Sequence, residues 1–197
     1  MIYRSIMRAG LLLLGFTAIS VFFVSLTQES TKEQIRYNEE QLLIKRLGEL
    51  VDSYDNDILQ DKFSKHINLH GLDQDVIIYP AKNNNETFAY LIEHTYPNGY
   101  NGDIKLLTGV DKGNNLLGVR VIAHKETPGL GDKIDTRKSN WIEQFTDLSL
   151  SYPIPSQWKV KRDGGVFDSF TGATITPRAI VTASFQVLEY FSQHEVE

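Results

Sequence analysis

Residues 102–124, GDIKLLTGVDKGNNLLGVRVIAH, decide the fold. Two runs rich in Leu, Val and Ile flank DKGNN, residues 111–115, in which all but Lys112 are turn formers. That arrangement predicts an antiparallel hairpin, with Gly113 taking the positive φ that such a turn needs. Two further strand-like runs precede it, DVIIYP at 75–80 and TFAYLIEHTYP at 87–97, each bounded by polar or Gly/Pro clusters. The chain ends differently. From Thr176 and Pro177, a hydroxyl for the N-cap and a proline for the first helical position, an apolar face of Ile180, Val181, Phe185, Val187, Leu188 and Phe191 predicts a C-terminal helix. Helix, meander and helix in that order specify an α+β fold: a mainly antiparallel sheet with flanking helices. There is no internal repeat and no low-complexity segment.

The other end of the chain predicts a membrane span. No residue from Ala9 through Gln28 carries a charge, and a helix of that length spans roughly the 30 Å hydrocarbon core. A cleavable secretory signal is the competing reading, but the apolar run is too long and Ser25, Leu26 and Thr27 make a poor small-residue cleavage site. Arg4 and Arg8 precede the span while Glu29 and Glu33 follow it, so the positive-inside rule keeps residues 1–8 cytoplasmic and translocates the rest. Residues 29–60 are expected to form a helical stalk or first helix, with Ile35, Leu42, Leu43, Leu47, Leu50 and Val51 near helical spacing, and residues 61–197 the globular domain.

With 197 residues, the chain has room for one core of ordinary size. Of its 20 Lys/Arg, Arg4 and Arg8 lie before the span and all 25 Asp/Glu lie after it, so the translocated part carries −7 and the whole chain −5. An acidic domain without basic runs is no nucleic-acid surface. The absence of cysteine excludes thiol catalysis, Cys-ligated iron–sulfur clusters, a lipoprotein anchor and CxxCH haem attachment.

Several stretches resemble binding sites without meeting their chemistry. DSYDNDILQDK, residues 52–62, lacks the central glycine and terminal glutamate of an EF-hand loop and reads as a solvated turn. His66 and His70 have the i, i+4 spacing of zinc ligands on a helix, but KHINLHGLD reads as a surface turn. His94 and His124 each end a predicted strand and are expected to be partly exposed polar residues. No metal site is expected.

Two segments are more specific. In ETPGLGDK, residues 126–133, Pro128 fixes φ while Gly129 and Gly131 permit unusual backbone, so the segment is either a tight turn or a loop that lies flat against a ligand. It lacks the GK[ST] ending of a phosphate-binding Walker loop. In DSFTGATITPRA, residues 168–179, the cap accounts for Thr176 alone. Thr171 and Thr174 remain, separated by the small residues Gly172 and Ala173. They form either a hydroxyl turn feeding the cap or a hydroxyl displayed where a helix N-terminus favours phosphate.

Asp168, Thr171, Gly172, Ala173, Thr174 and Thr176 together resemble the D-x-x-[ST]-G-A-T-x-[ST] flavinylation motif of the FMN-binding domain family, with Thr171 where serine is frequent. ETPGLGDK resembles that family's second signature. The order of anchor, stalk, YDND segment, loop and motif is most similar to the G subunits of Rnf/Rsx electron-transport complexes, relatives of the C subunit of the sodium-pumping NADH:quinone oxidoreductase.

The resemblance implies FMN joined by its phosphate to Thr174, with Thr171, Gly172, Ala173, Thr176 and Asp168 forming the attachment segment. Glu126, Thr127, Gly129 and Leu130 belong to the loop it places beside the isoalloxazine. It further implies a separate magnesium-dependent flavin transferase using FAD, neighbouring redox subunits as partners, and a single-pass protein of a bacterial inner membrane with a periplasmic domain. Its role would be an electron carrier in ferredoxin/NAD electron transfer coupled to ion movement, without a substrate pocket of its own. Two other classes remain: a noncovalent phosphate- or flavin-binding module, and a cofactor-free structural anchor subunit. Neither accounts for TGAT and ETPGLG occurring in one chain.

Overall fold

In the computed structural model, residues 2–194 and 196 are described. The chain divides into two compact units, Met1–Leu43 and Ile44–Glu197. The first consists of helix α1 (Ile2–Gly48) as far as Leu43; the last residues of the same helix belong to the second unit. Its apolar stretch, of mean hydropathy 2.3 and wholly exposed, is long and apolar enough to cross a membrane. The helix ends at Gly48, short of the stalk expected through residue 60. Glycine is a poor helix former, and the amides of Leu50 and Val51 fold back onto the Leu47 carbonyl.

The second unit is built on a five-stranded antiparallel meander in the order β1 to β5. Its strands are β1 (Phe63–Leu69), β2 (Leu72–Asn83), β3 (Glu86–Gly99), β4 (Gly102–Asp111) and β5 (Leu116–Ala123). The hairpin expected around residues 111–115 is present, but the positive φ belongs to Asn114 (59°) and not to Gly113. Asn tolerates the left-handed region better than most residues. Asp111 closes the turn, its Oδ1 accepting the amides of Gly113 and Asn115.

The stretch expected to be a surface turn is instead strand β1, with His66 outward and hydrogen-bonded to Asp75, and His70 in the β1–β2 turn with φ of 62°. Phe63, Ile67 and Leu69 alternate with polar residues, the period a strand with one buried face requires. The 52–62 turn is tied down by its own side chains: Asp55 accepts from the Asn84 amide, and Asp61 receives Asn56 Nδ2 and pairs with Lys82.

Alternation along the strands gives the sheet two covered faces. Val76, Ile78, Ile92, Ile104, Leu106, Val119 and Val121 form a core with Ile180, Val187, Leu188 and Phe191 of the C-terminal helix α2 (Ile175–Gln193). Against the other face lie residues just after α1. Arg120 of β5 pairs with Glu49 at 2.8 Å, and Gly118 comes so close to Leu50 that a Cβ there would stand 2.9 Å from its Cδ2.

Between β5 and α2 the chain runs through short 3-10 turns. They are held by an aromatic cluster: Phe145 stacks on Phe167 (centroids 4.8 Å apart), and Trp141 meets Phe170 edge-on at 4.9 Å. The indole of Trp141 donates to the Asp168 carbonyl at 2.9 Å. Phe167 and Phe170 are thus fixed points immediately ahead of the threonine segment.

Candidate functional site

Between Phe170 and Thr176, both buried, the chain makes a turn and enters α2. The Ala173 amide bonds the Phe170 carbonyl at 3.3 Å, and Gly172 takes φ of 82°. A positive φ at the third position of a four-residue turn is what makes glycine the favoured residue there. The turn leaves Thr171 exposed and Thr174 half-buried at the helix N-cap.

Thr176 does not cap the helix as expected. It lies within the first turn, 1% exposed, and its hydroxyl donates to Glu126 Oε2 at 2.5 Å. Thr174 holds the cap position, yet its hydroxyl makes no capping hydrogen bond and has no partner among the described residues. One threonine of the segment is therefore withdrawn into the fold, while another keeps a free hydroxyl beside the helix start.

Glu126 is the hub of the site. Besides Thr176, its carboxylate accepts the amide of Asn101 at 3.2 Å from the β3–β4 turn. The following loop turns back on itself, the amides of Leu130 and Gly131 both reaching the Thr127 carbonyl. Gly131 passes so near that a Cβ there would stand 2.7 Å from the Thr176 hydroxyl and 2.8 Å from Glu126 Oε2. Absence of a side chain at 131 is what lets the ETPGLG loop close onto α2.

Together these segments enclose a cleft of about 370 Å³. Glu126, Thr127, Leu130 and Gly131 line one wall, and Gly172, Ala173, Thr174, Ile175 and Thr176 the other. Of the residues singled out from sequence, Thr174, Gly172, Ala173, Thr176, Glu126, Thr127 and Leu130 meet here. Thr171, Gly129 and Asp168 do not line it. Asp168 is exposed and paired with Lys161 at 2.6 Å; Gly129 shapes the loop with φ of 79° and donates its amide to buried Asp132.

Tyr100 and Ile175 also line the cleft and were not singled out from sequence. An aromatic between the glycines of NGYNG was the available signal for the first. The volume falls in the range of small-molecule sites. A helix N-terminus, a free hydroxyl, and walls of glycine backbone and apolar side chains suit a phosphorylated planar ligand.

Of the two histidines expected to be partly exposed, His124 is so and His94 is not. His94 lies within β3, 2% exposed, on the same strand face as the core residues Ile92 and Tyr96. Its Nε2 pairs with Thr108 Oγ1 at 2.9 Å and its Nδ1 with His70 Nε2 at 3.0 Å, while His70 Nδ1 reaches Gln186 Oε1 of α2 at 2.7 Å. Burial, reinforced by the neighbouring His70, holds His94 well below the usual histidine range; burial also lowers His70, partly offset by the Gln186 bond. His124, beyond β5, accepts the Glu126 amide and so helps start the loop.

The cleft suits a phosphorylated planar ligand, and comparison with known proteins gives the class of the fold, an FMN-binding domain. The FMN-binding domain family matches residues 99–189, and the RnfG N-terminal region matches residues 1–50. The G subunits of ion-translocating oxidoreductase complexes from several bacteria are similar along nearly the whole length. That of Shewanella amazonensis is 44% identical, over 98% of this chain and 92% of the relative. That of Vibrio cholerae is 42% identical, over 97% and 92%, and that of Pseudomonas aeruginosa 43%, over 95% and 89%. The chain belongs to the family of ion-translocating oxidoreductase complex G subunits, and its second unit carries the FMN-binding domain.

Proposed function

We propose that this chain is a membrane-anchored electron carrier holding FMN covalently, through a phosphoester on Thr174, within an Rnf/Rsx-type ion-translocating complex. The observation carrying this reading is the pair of threonine environments. Thr176 is buried and bonded to Glu126, whereas Thr174 lines the cleft with its hydroxyl free.

An unactivated hydroxyl needs a base to become a nucleophile. The one carboxylate lining the cleft, Glu126, is occupied by Thr176 and Asn101. Attachment is therefore the work of a separate flavin transferase. The Thr174 oxygen forms the new bond to phosphorus of FAD, AMP departs, and the hydroxyl proton leaves with it. The half-exposed turn at 171–174 gives that enzyme access, and Asp168, outside the cleft and paired with Lys161 at the surface, is exposed to be part of what it recognises. Once attached, the phosphate lies at the start of α2, where the helix dipole favours negative charge.

Bound flavin supplies one- and two-electron chemistry; the protein's own part is to hold it and to exclude water from one side through Leu130, Ile175 and the glycine walls. Covalent attachment suits a periplasmic domain, where a lost cofactor is not readily replaced. Arg4 and Arg8, by the positive-inside rule, support a cytoplasmic N-terminus and a domain on the periplasmic face of the inner membrane, with membrane lipid and the other subunits of the complex as its partners in this reading. In such an assembly, electron exchange between ferredoxin and NAD is coupled to ion movement. This chain contributes a redox station and no ion path, because residues 9–28 contain no ionisable side chain.

The test is Thr174→Val in the full chain, made together with a flavin transferase. The wild type gives a fluorescent band at the chain's mass after denaturing electrophoresis, and the variant gives none. A fluorescent band from the variant excludes Thr174 as the attachment point.

A further inference from the structure

Tyr100 is a large aromatic with no hydrogen-bond partner among the described residues, 63% exposed, in a turn that is itself firmly held. The turn is only two residues long, with Gly99 and Gly102 paired across it. Backbone packing there is tight: a Cβ at Gly99 would stand 2.4 Å from the Gly102 carbonyl oxygen and 2.8 Å from Glu126 Oε1. Asn101, the next residue, fastens the turn to the loop wall twice. Its amide donates to Glu126 Oε1 at 3.2 Å, and its Nδ2 donates to Thr127 Oγ1 at 3.1 Å.

An exposed ring on a free loop is ordinary; an exposed ring on a pinned two-residue turn, lining a cleft, needs a reason. Around the same cleft, Gly131 and Gly172 present backbone without side chains, and Leu130 and Ile175 present half-exposed apolar surface. An aromatic ring beside walls of that kind makes a slot for a flat, aromatic ligand, which a ring contacts with large area and little loss of side-chain freedom.

We propose that Tyr100 lies against the isoalloxazine ring of the FMN, and that Glu126 is the positioning residue that holds Tyr100 there through the Asn101 amide. The proposal rests on the flavin reading above. Glu126 needs no contact with the ring. It ties the β3–β4 turn, the 126–131 loop and the first turn of α2 together, so that the aromatic and the flat walls keep one spacing.

The experiment reads flavin fluorescence per bound flavin, normalised by flavin absorbance, on the full chain purified in detergent after production with a flavin transferase. An electron-rich phenol or indole in contact with a flavin quenches its emission, whereas an aliphatic side chain does not. Tyr100→Leu is expected to brighten each bound flavin at least threefold, and Tyr100→Trp to stay as dim as the wild type. Glu126→Gln keeps both hydrogen bonds, its amide oxygen accepting from Asn101 and its amide nitrogen donating to the Thr176 oxygen. It should stay dim, while Glu126→Ala brightens like Tyr100→Leu.

Flavin emission unchanged in Tyr100→Leu at full occupancy overturns the proposal. If Tyr100→Leu takes up no flavin, uptake by Tyr100→Trp supports the ring contact, and failure of both overturns it. Absence of flavin from the wild type itself would instead overturn the proposed function.

Discussion

The Thr176 hydroxyl donates to Glu126 Oε2 at 2.5 Å, joining two buried side chains fifty residues apart. This bond closes the seam between the loop and the helix, and it decides which threonine is left free. Thr176→Val keeps the shape and removes the donor, leaving a buried carboxylate oxygen unpaired. The expected cost is about 1–3 kcal/mol, and Thr176→Ser recovers most of it. Denaturant unfolding of the three proteins checks this; equal stability of Val and Ser variants would remove the bond's structural role.

Gly131→Ala should be more damaging than Gly172→Ala. At 131 the added methyl meets the Thr176 hydroxyl at 2.7 Å and Glu126 Oε2 at 2.8 Å, so the loop must move off the helix. Overpacking of that kind costs roughly 1–3 kcal/mol. At 172 the nearest atom, Leu130 Cδ2, is 3.4 Å away and the penalty is conformational, from φ of 82°, about 1 kcal/mol. Unfolding midpoints rank the two.

The buried histidines make the domain acid-sensitive. The bonds from Thr108 through His94 and His70 to Gln186 are satisfied by neutral imidazoles, each donating in one direction; one added proton is accepted only as a buried charge, with the Thr108 hydroxyl turning to accept, and a second puts two hydrogens into the gap between the rings. Tyr96, packed edge-on to His70 at 5.1 Å, brings no counter-charge. Both folded pKa values lie below the unfolded value of about 6.5, so the unfolded chain takes up protons first. The contribution is full above about pH 6.5 and is lost as pH falls below it, by up to about 1.4 kcal/mol per pH unit for each proton. Stability measured from pH 7.5 to 5 should decline, and His94→Gln should flatten the slope; identical slopes would refute the assignment.

Arg46, 1% exposed at the end of α1, meets Asp135 at 2.8 Å. Burial works to raise the Asp135 pKa, but hydrogen bonds from Arg137 and Arg46 outweigh it and hold the carboxyl well below the usual range. The pair therefore stays charged throughout the range in which the histidines titrate. Asp135→Asn removes one of the two carboxylates that Arg46 meets, Glu49 remaining at 2.9 Å, and should cost roughly 1.5–3 kcal/mol; the double variant Arg46→Met/Asp135→Leu should restore much of that. Additive losses in the double variant would contradict this coupling.

Much of the fold was legible because β2 to β5 and α2 repeat their apolar residues at the period of a strand or helix. Strand β1 was hidden because Phe63, Ile67 and Leu69 are interleaved with Lys65, His66 and Asn68, a mixture that resembles a turn. The free hydroxyl at Thr174 was legible as part of a motif. The true role of Thr176 was not, because a hydroxyl ahead of a proline fits a helix cap, whereas its actual partner, Glu126, is set by tertiary packing. The cluster of Trp141, Phe145, Trp158, Phe167 and Phe170 was equally hidden, since 3-10 turns impose no lasting periodicity. Tyr100 reaches the cleft only through the register of β3 with β4.

The central claim is the linkage at Thr174, and the mass of the tryptic peptide 163–178 from protein in its native membrane tests it most directly. The account expects that peptide to be heavier by one FMN less a water, with fragment ions placing the addition on Thr174. A peptide of unmodified mass, or an addition placed on Thr171 or Thr176, would contradict it.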